Sequence, residues 1–272
     1  MSAEVMVCNH SPIAVFDSGL GGISVLRELV RVMPHEDYIY FGDSKYAPYG
    51  VKTLEEVRQL TIGHARDLFE EGAKGLVVAC NTATSAAVRI LREMYPQVPI
   101  VGIEPAVKPA SLSGGHPRVL VMATPMTVRE EKFRLLMARY TDAADIIPLP
   151  CPGLMEFIER GDLEGDDLRR YLENLLCDYR EECVDAVVLG CTHYPFARHL
   201  IQEIIGSSVR IYDGGEGTAR EMRRRLSEVG LLNPRETKGT VEFRNSDATP
   251  EKLALCNRLL TMEVPSLRQQ RH

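Results

Sequence analysis

GLVVACNTATS (residues 75–85) and DAVVLGCTHYP (185–195) share one pattern: a short apolar run, a cysteine, and a threonine one or two places on. The runs are continuously apolar rather than alternating, which suits strands covered on both faces of a parallel sheet. A second matched pair lies upstream of each, PIAVFDSGLGGISVL (12–26) and PRVLVMATPMTVREE (117–131), each reading as strand, polar loop and helix. The cysteines are 111 positions apart and the upstream pair about 105, so the offsets nearly agree. Two related α/β halves follow. Cys80 and Cys191 then occupy equivalent carboxyl ends of strands, where open α/β sheets place their ligands.

Outward from these stretches, apolar runs alternate with amphipathic ones, as in strands joined by crossover helices. Strands are expected at 13–16, 38–41, 76–79 and 100–103, then at 119–122, 146–149, 186–189 and 209–212. Helices are expected over 83–94 and 216–229. Thr53 with Glu56, and Thr127 with Glu130, read as capping boxes, and Thr249-Pro250 as a further helix start. The ending Arg-Gln-Gln-Arg-His after Leu260 is expected to fray.

The chain has 272 residues, 44% hydrophobic and 26% charged, with net charge −6. Such a balance gives no general attraction for nucleic acid or anionic membrane. Consecutive residues on a helix point in different directions, so Arg223, Arg224 and Arg225 read as a solvated face. Seven scattered cysteines without a CxxC do not make a disulfide scaffold. With no apolar signal core near the start and no apolar run near the length of a bilayer, a reducing cytoplasm is expected. Free thiols are available for chemistry in that compartment.

Five of the cysteines (8, 151, 177, 183 and 256) have no polar loop around them and read as structural. Cys80 and Cys191 have such loops. Asn81 and Thr82 stand where a helix begins and could hold a carboxylate; Thr192 and His193 repeat the arrangement. Two facing thiols suit a definite reaction, removal of an α-proton from one face of an amino acid and its return to the other. A thiol of ordinary pKa about 8.5 can act as either acid or base once its surroundings shift it. Asp17 is a candidate partner for Cys80, and His193 for Cys191.

The DSGLGG turn (17–22) is neither of the common phosphate-loop patterns. It reads as exposing Asp17 and Ser18, with glycines that let a small ligand come close. Pro48, Tyr49 and Gly50 read as a surface turn or as a loop offering N–H groups to a carboxylate. Thr127 is accounted for by capping; Thr124 is not. The Cys-x-His of 191–193 has no second cluster of ligand spacing, so no metal is expected.

At these residues the sequence resembles glutamate racemase, in the aspartate/glutamate racemase superfamily. The likeness rests on FDSGLGG (16–22), YFGDSKYAPYG (40–50), ACNTAT (79–84), VGIEPAVKPA (101–110), CPGLMEFIERG (151–161), LGCTHYP (189–195) and DGGEGTA (213–219). They hold family order from about 12 to 232. The resemblance implies two similar doubly wound parallel-sheet α/β domains related by a pseudo-twofold axis, with the active site between them. The division it implies is 1–104 plus 212–272 for the first domain and 105–211 for the second.

It also implies cofactor-independent transfer of the α-proton, without pyridoxal phosphate, supplying D-glutamate for peptidoglycan. Cys80 would act on D-glutamate and Cys191 on L-glutamate, supported by Asp17 and His193. Substrate would be held by Asp17, Ser18, Pro48, Tyr49, Gly50, Asn81, Thr82, Thr124, Thr127, Thr192 and His193, with Glu159 near the cleft. A homodimer is compatible with the likeness. Two departures stand out: Ala-Thr-Pro-Met-Thr at 123–127, where many members have Gly-Thr-x-Gly-Thr, and a poor match after 232. From the residues alone three other readings stay open: an aspartate racemase, a single-thiol hydrolase using His193, and a nucleotide-binding protein built on DSGLGG.

Overall fold

In a computed structural model, residues 7–179 and 183–262 are described. The first sheet takes β1 (Ile13–Asp17), β2 (Tyr38–Gly42), β3 (Gly75–Val78) and β4 (Ile100–Gly102). Between and after them run α1 (Ile23–Val32), α2 (Leu54–Glu70), α3 (Asn81–Met94) and α4 (Val107–Ser111). The second sheet takes β5 (Arg118–Ala123), β6 (Asp145–Pro150), β7 (Ala186–Leu189) and β8 (Arg210–Asp213). With it go α5 (Pro125–Arg129), α6 (Glu131–Ala138), α7 (Leu154–Glu159), α8 (Asp166–Leu175) and α9 (Arg198–Ile205). The chain ends with α10 (Gly215–Glu228), β9 (Val241–Asn245) and α11 (Pro250–Thr261).

The strand orders are β4-β3-β1-β2-β9 and β6-β5-β7-β8, with every pairing parallel. Matching β1 to β5, β2 to β6, β3 to β7 and β4 to β8 makes the two orders identical, apart from β9. All eight expected strands are present, and β1, β3 and β7 are buried along their whole length. β6 is an edge strand and carries Pro148 and Pro150, which a central strand would not tolerate. After β8 the chain returns to the first sheet: α10 packs on α1 and β4, and β9 pairs with β2. Position 212, where that return was expected, lies inside β8. β9 itself was not foreseen.

Helix starts follow side-chain chemistry. Thr53 and Glu56 form the expected reciprocal capping box on α2 (2.8 and 3.3 Å), and Thr249 caps α11. At 124–130 the expectation is corrected. Thr124, with Pro125 after it, is the cap of α5 and accepts the Thr127 N–H at 3.2 Å; Thr127 lies inside the helix. Proline at the first helical position starts the helix one turn earlier than the Thr-to-Glu spacing implied. Arg224 and Arg225 pair with Glu221, and Arg224 with Glu228, as a solvated face should. The expected frayed ending lies beyond residue 262, outside the described residues. Among the described residues no helix is long and apolar enough to cross a membrane.

One continuous apolar core joins the halves, running from Leu26 and Val77 through Leu20 and Ile158 to Val187 and Ile201. Two further clusters cover the opposite sheet faces. Cys151 and Cys256 belong to the shared core, but Cys8 and Cys177 are exposed, so the structural reading fails for those two. At the other end of the first sheet a buried Lys74–Glu36 pair (2.5 Å) also takes the Asn9 carbonyl and the Asn233 N–H. Removing one member of such a pair leaves an uncompensated buried charge. Lys74→Met should therefore lose about 3–5 kcal/mol in urea unfolding, and Glu36→Gln added to it should recover part of that.

Candidate active site

Chain order reverses between β1 and β3 in the first sheet, and between β5 and β7 in the second. Each reversal leaves a crevice at the carboxyl ends of the strands. Ala79 N–H still bonds Phe16 O, and Gly190 N–H bonds Met122 O, both at 2.7 Å. Cys80 and Cys191 come next in chain, at the same step beyond the same strand of each half. Both are almost fully buried.

Cys80 caps α3, its sulfur accepting the Ala83 N–H at 3.5 Å. Ser18 Oγ donates to the same sulfur at 3.4 Å. Burial, and then the nearby Asp17 carboxylate, push this thiol up to about 12, and Cys191 adds to the rise. Ser18, rather than Asp17, is thus the hydrogen-bond partner of Cys80. The Asp17 carboxylate accepts Gly19 N–H (2.9 Å) and, from the other half, Thr192 Oγ1 (3.0 Å). Burial raises its pKa, against the pull of His193.

Cys191 Sγ lies 3.6 Å from His193 Nδ1, and His193 Nε2 lies 2.7 Å from Glu159 Oε1. Glu159 also accepts Leu20 N–H at 2.6 Å. Burial works against a charged imidazole, but the thiol on one side and the carboxylate on the other raise its pKa well above the ordinary value. Burial likewise raises Glu159, and the His193 contact outweighs it, leaving it lowered. Both shifts describe an imidazolium–carboxylate pair. Gly21 N–H, 3.2 Å from Nε2, can donate to it only when that nitrogen is unprotonated.

The DSGLGG turn differs from expectation in what it meets. Asp17 and Ser18 are buried, not exposed. The glycines make room for the other half of the protein. A Cβ on Gly19 would lie 2.1 Å from Glu159 Oε1, and one on Gly21 2.4 Å from His193 Nδ1. Ser24 Oγ adds a bond to Thr192 O across the same junction.

The remaining residues ring this junction. Tyr49 is buried with its hydroxyl donated to Asp43 (2.7 Å), which also lies 3.2 Å from His64. Of the Pro48-Tyr49-Gly50 turn, backbone N–H groups of Tyr49 and Gly50 are therefore what remains for a ligand. Gly50 stands against Thr124, where a Cβ would come within 3.4 Å, and Thr124 and Thr127 share a hydroxyl contact of 2.9 Å. Thr82 is buried beside Cys80, and Asn81 Oδ1 is buried with no partner among the described residues. Asp43 and His64 were not singled out from sequence; a carboxylate just past a strand and a histidine inside a helix carry no local signal.

The model of the Asp/Glu/Hydantoin racemase family matches residues 14–222. The chain belongs to that family. A glutamate racemase of Clostridium perfringens is 49% identical over 254 residues, which is 93% of this chain and 98% of the relative. Glutamate racemase of Francisella tularensis, solved with D-glutamate, superposes with TM-score 0.80 at 27% identity, over 94% of this chain and 96% of that one. The Escherichia coli glutamate racemase, solved with L-glutamate and activator UDP-MurNAc-ala, gives 0.79 at 29%, over 92% and 95%.

Within this racemase family member the thiols are far from equivalent to solvent. Exposed Cys8 has a lowered pKa from hydrogen bonds to His10 and Ser11, whereas Cys80 is raised to about 12. Alkylation needs thiolate. With iodoacetamide at pH 7.5, peptide mass spectrometry should find Cys8 modified first and Cys80 spared. The Cys80 rate should climb about tenfold per pH unit, since its thiolate fraction grows that way below its pKa.

Proposed function

We propose that this racemase interconverts L- and D-glutamate by α-proton transfer between Cys191 and Cys80. The observation that carries the reading is the pair of buried thiols at equivalent strand ends, each with its own polar partner, across one junction between the halves. The relatives' names and the glutamate bound in two of them support the substrate.

The reaction from L-glutamate starts with Cys191 as the thiolate, its sulfur 3.6 Å from His193 Nδ1, and with Cys80, whose pKa is raised, as the thiol. In that state Cys191 takes the α-proton of L-glutamate and Cys80 S–H gives its own proton to the opposite face, so the sulfurs exchange roles. D-glutamate is converted from the other tautomer of the same singly protonated pair. Glu159 holds the imidazole through Nε2 and keeps Nδ1 toward the sulfur. Asp17 and Ser18 flank Cys80. The substrate carboxylate meets the N–H groups at the start of α3, around Asn81 and Thr82, with a helix dipole behind them. Tyr49, Gly50, Thr124, Thr127 and Thr192 complete the enclosure, and Pro48 shapes the turn. The product D-glutamate would feed peptidoglycan synthesis.

Purified protein should racemise L-glutamate in D₂O without added cofactor, losing circular dichroism while gaining deuterium at Cα. Cys80→Ala and Cys191→Ala should each lose at least about 10³-fold, because each removes a proton donor or acceptor no other group replaces. Inert wild type, a clear preference for aspartate, or a fully active cysteine variant would overturn the reading. His193→Asn should cost about 10²-fold, by the same general acid–base argument.

A further inference from the structure

Glu159 holds His193, yet it ends a helix of only six residues, too short to keep its own geometry. Besides the Leu20 N–H bond, it is set by contacts on both sides of the turn that follows. Gly161, at φ +74°, reverses the chain, with its N–H bonded to Ile158 O and the Asp162 N–H to Phe157 O. The Gly161 carbonyl, outside that motif, accepts from Arg258 Nη2 at 2.9 Å. A Cβ on Gly161 would lie 2.5 Å from that nitrogen and 3.3 Å from Leu255 Cδ1, so α11 lies directly against the turn.

α11 belongs to the other half. Cys256 and Leu259 are fully buried, and the helix packs on α1 and β9. The helix lies close enough to Glu159 for their charges to register: the Lys252 cation helps lower Glu159, and Glu159 adds to the burial that pushes Cys256 up to about 11. A groove of about 480 Å³ lies beside this contact, lined by Glu159 and Arg160 at the end of α7 and by Lys252, Leu255 and Arg258 of α11.

We infer that Arg258 is a positioning residue for the Cys191 side of the site: by tying α11 of the first half to the Gly161 turn of the second, it sets Glu159 against His193. The inference rests on the proposed racemisation and assigns Arg258 to one of its two proton transfers. Arg258→Met keeps the stem and removes the donor. It should lower turnover about tenfold or more, as small displacements of positioned groups do. The loss should be unequal between the two steps. With α-deuterated L-glutamate, whose deuteron Cys191 takes, the primary isotope effect should rise above wild type. With α-deuterated D-glutamate, whose deuteron Cys80 takes, it should fall toward one, because the slowed step is then the other one. Arg258→Lys, which retains a donor, should restore most of the rate.

Unchanged turnover in Arg258→Met overturns the inference. So does a loss with both isotope effects unaltered, or one that Lys does not repair, since these mark a change in general stability. Wild-type protein inert toward both enantiomers would overturn the glutamate activity, and this assignment with it.

Discussion

The candidate active site depends on one steric condition, the absence of side chains at Gly19 and Gly21. Through those gaps Glu159 and His193 of the second half reach the backbone of the first, ending on Leu20 and Gly21 N–H groups. Asp17 and Ser24 answer with bonds to Thr192. Interfaces between halves of a chain tend to be polar and adjustable. Here polar contacts gather around the two cysteines and recur at the Arg258–Gly161 bond, and a shared apolar core joins the halves.

That closeness sets the electrostatics. Taken out of water, the Cys80 thiol holds its proton strongly, and a neighbouring carboxylate increases the hold. Burial alone would make His193 neutral. A sulfur at one ring nitrogen and a carboxylate at the other reverse that outcome. Two cysteines at matching positions in repeated halves thus meet opposite environments, one beside an anion and one beside a cation. A repeat without that difference would supply two thiols in similar surroundings.

Among the described residues, strands and helices were legible in proportion to how local their signals are. β1, β3 and β7 are buried on both faces, so each reads as an unbroken apolar run. β9 lies at the sheet edge with Glu242 and Arg244 among its five residues, and such a mixed strand has no distinctive run. The start of α5 misled because two threonines and a proline offered competing caps, and the proline decided. Repetition disclosed Cys80 and Cys191, since equal offsets in two halves require no knowledge of how the halves meet.

By itself, then, the sequence determined the parallel α/β halves and the place of a cysteine at the end of one strand in each. Those properties arise from residue order and short-range burial. Only the tertiary structure decided that Ser18 rather than Asp17 touches Cys80, that Glu159 stands behind His193, and that α11 returns to brace the Gly161 turn. These contacts join residues 62, 34 and 97 positions apart, the last of them across the two halves. Contacts over such separations follow from how two folded surfaces pack, which no local pattern encodes.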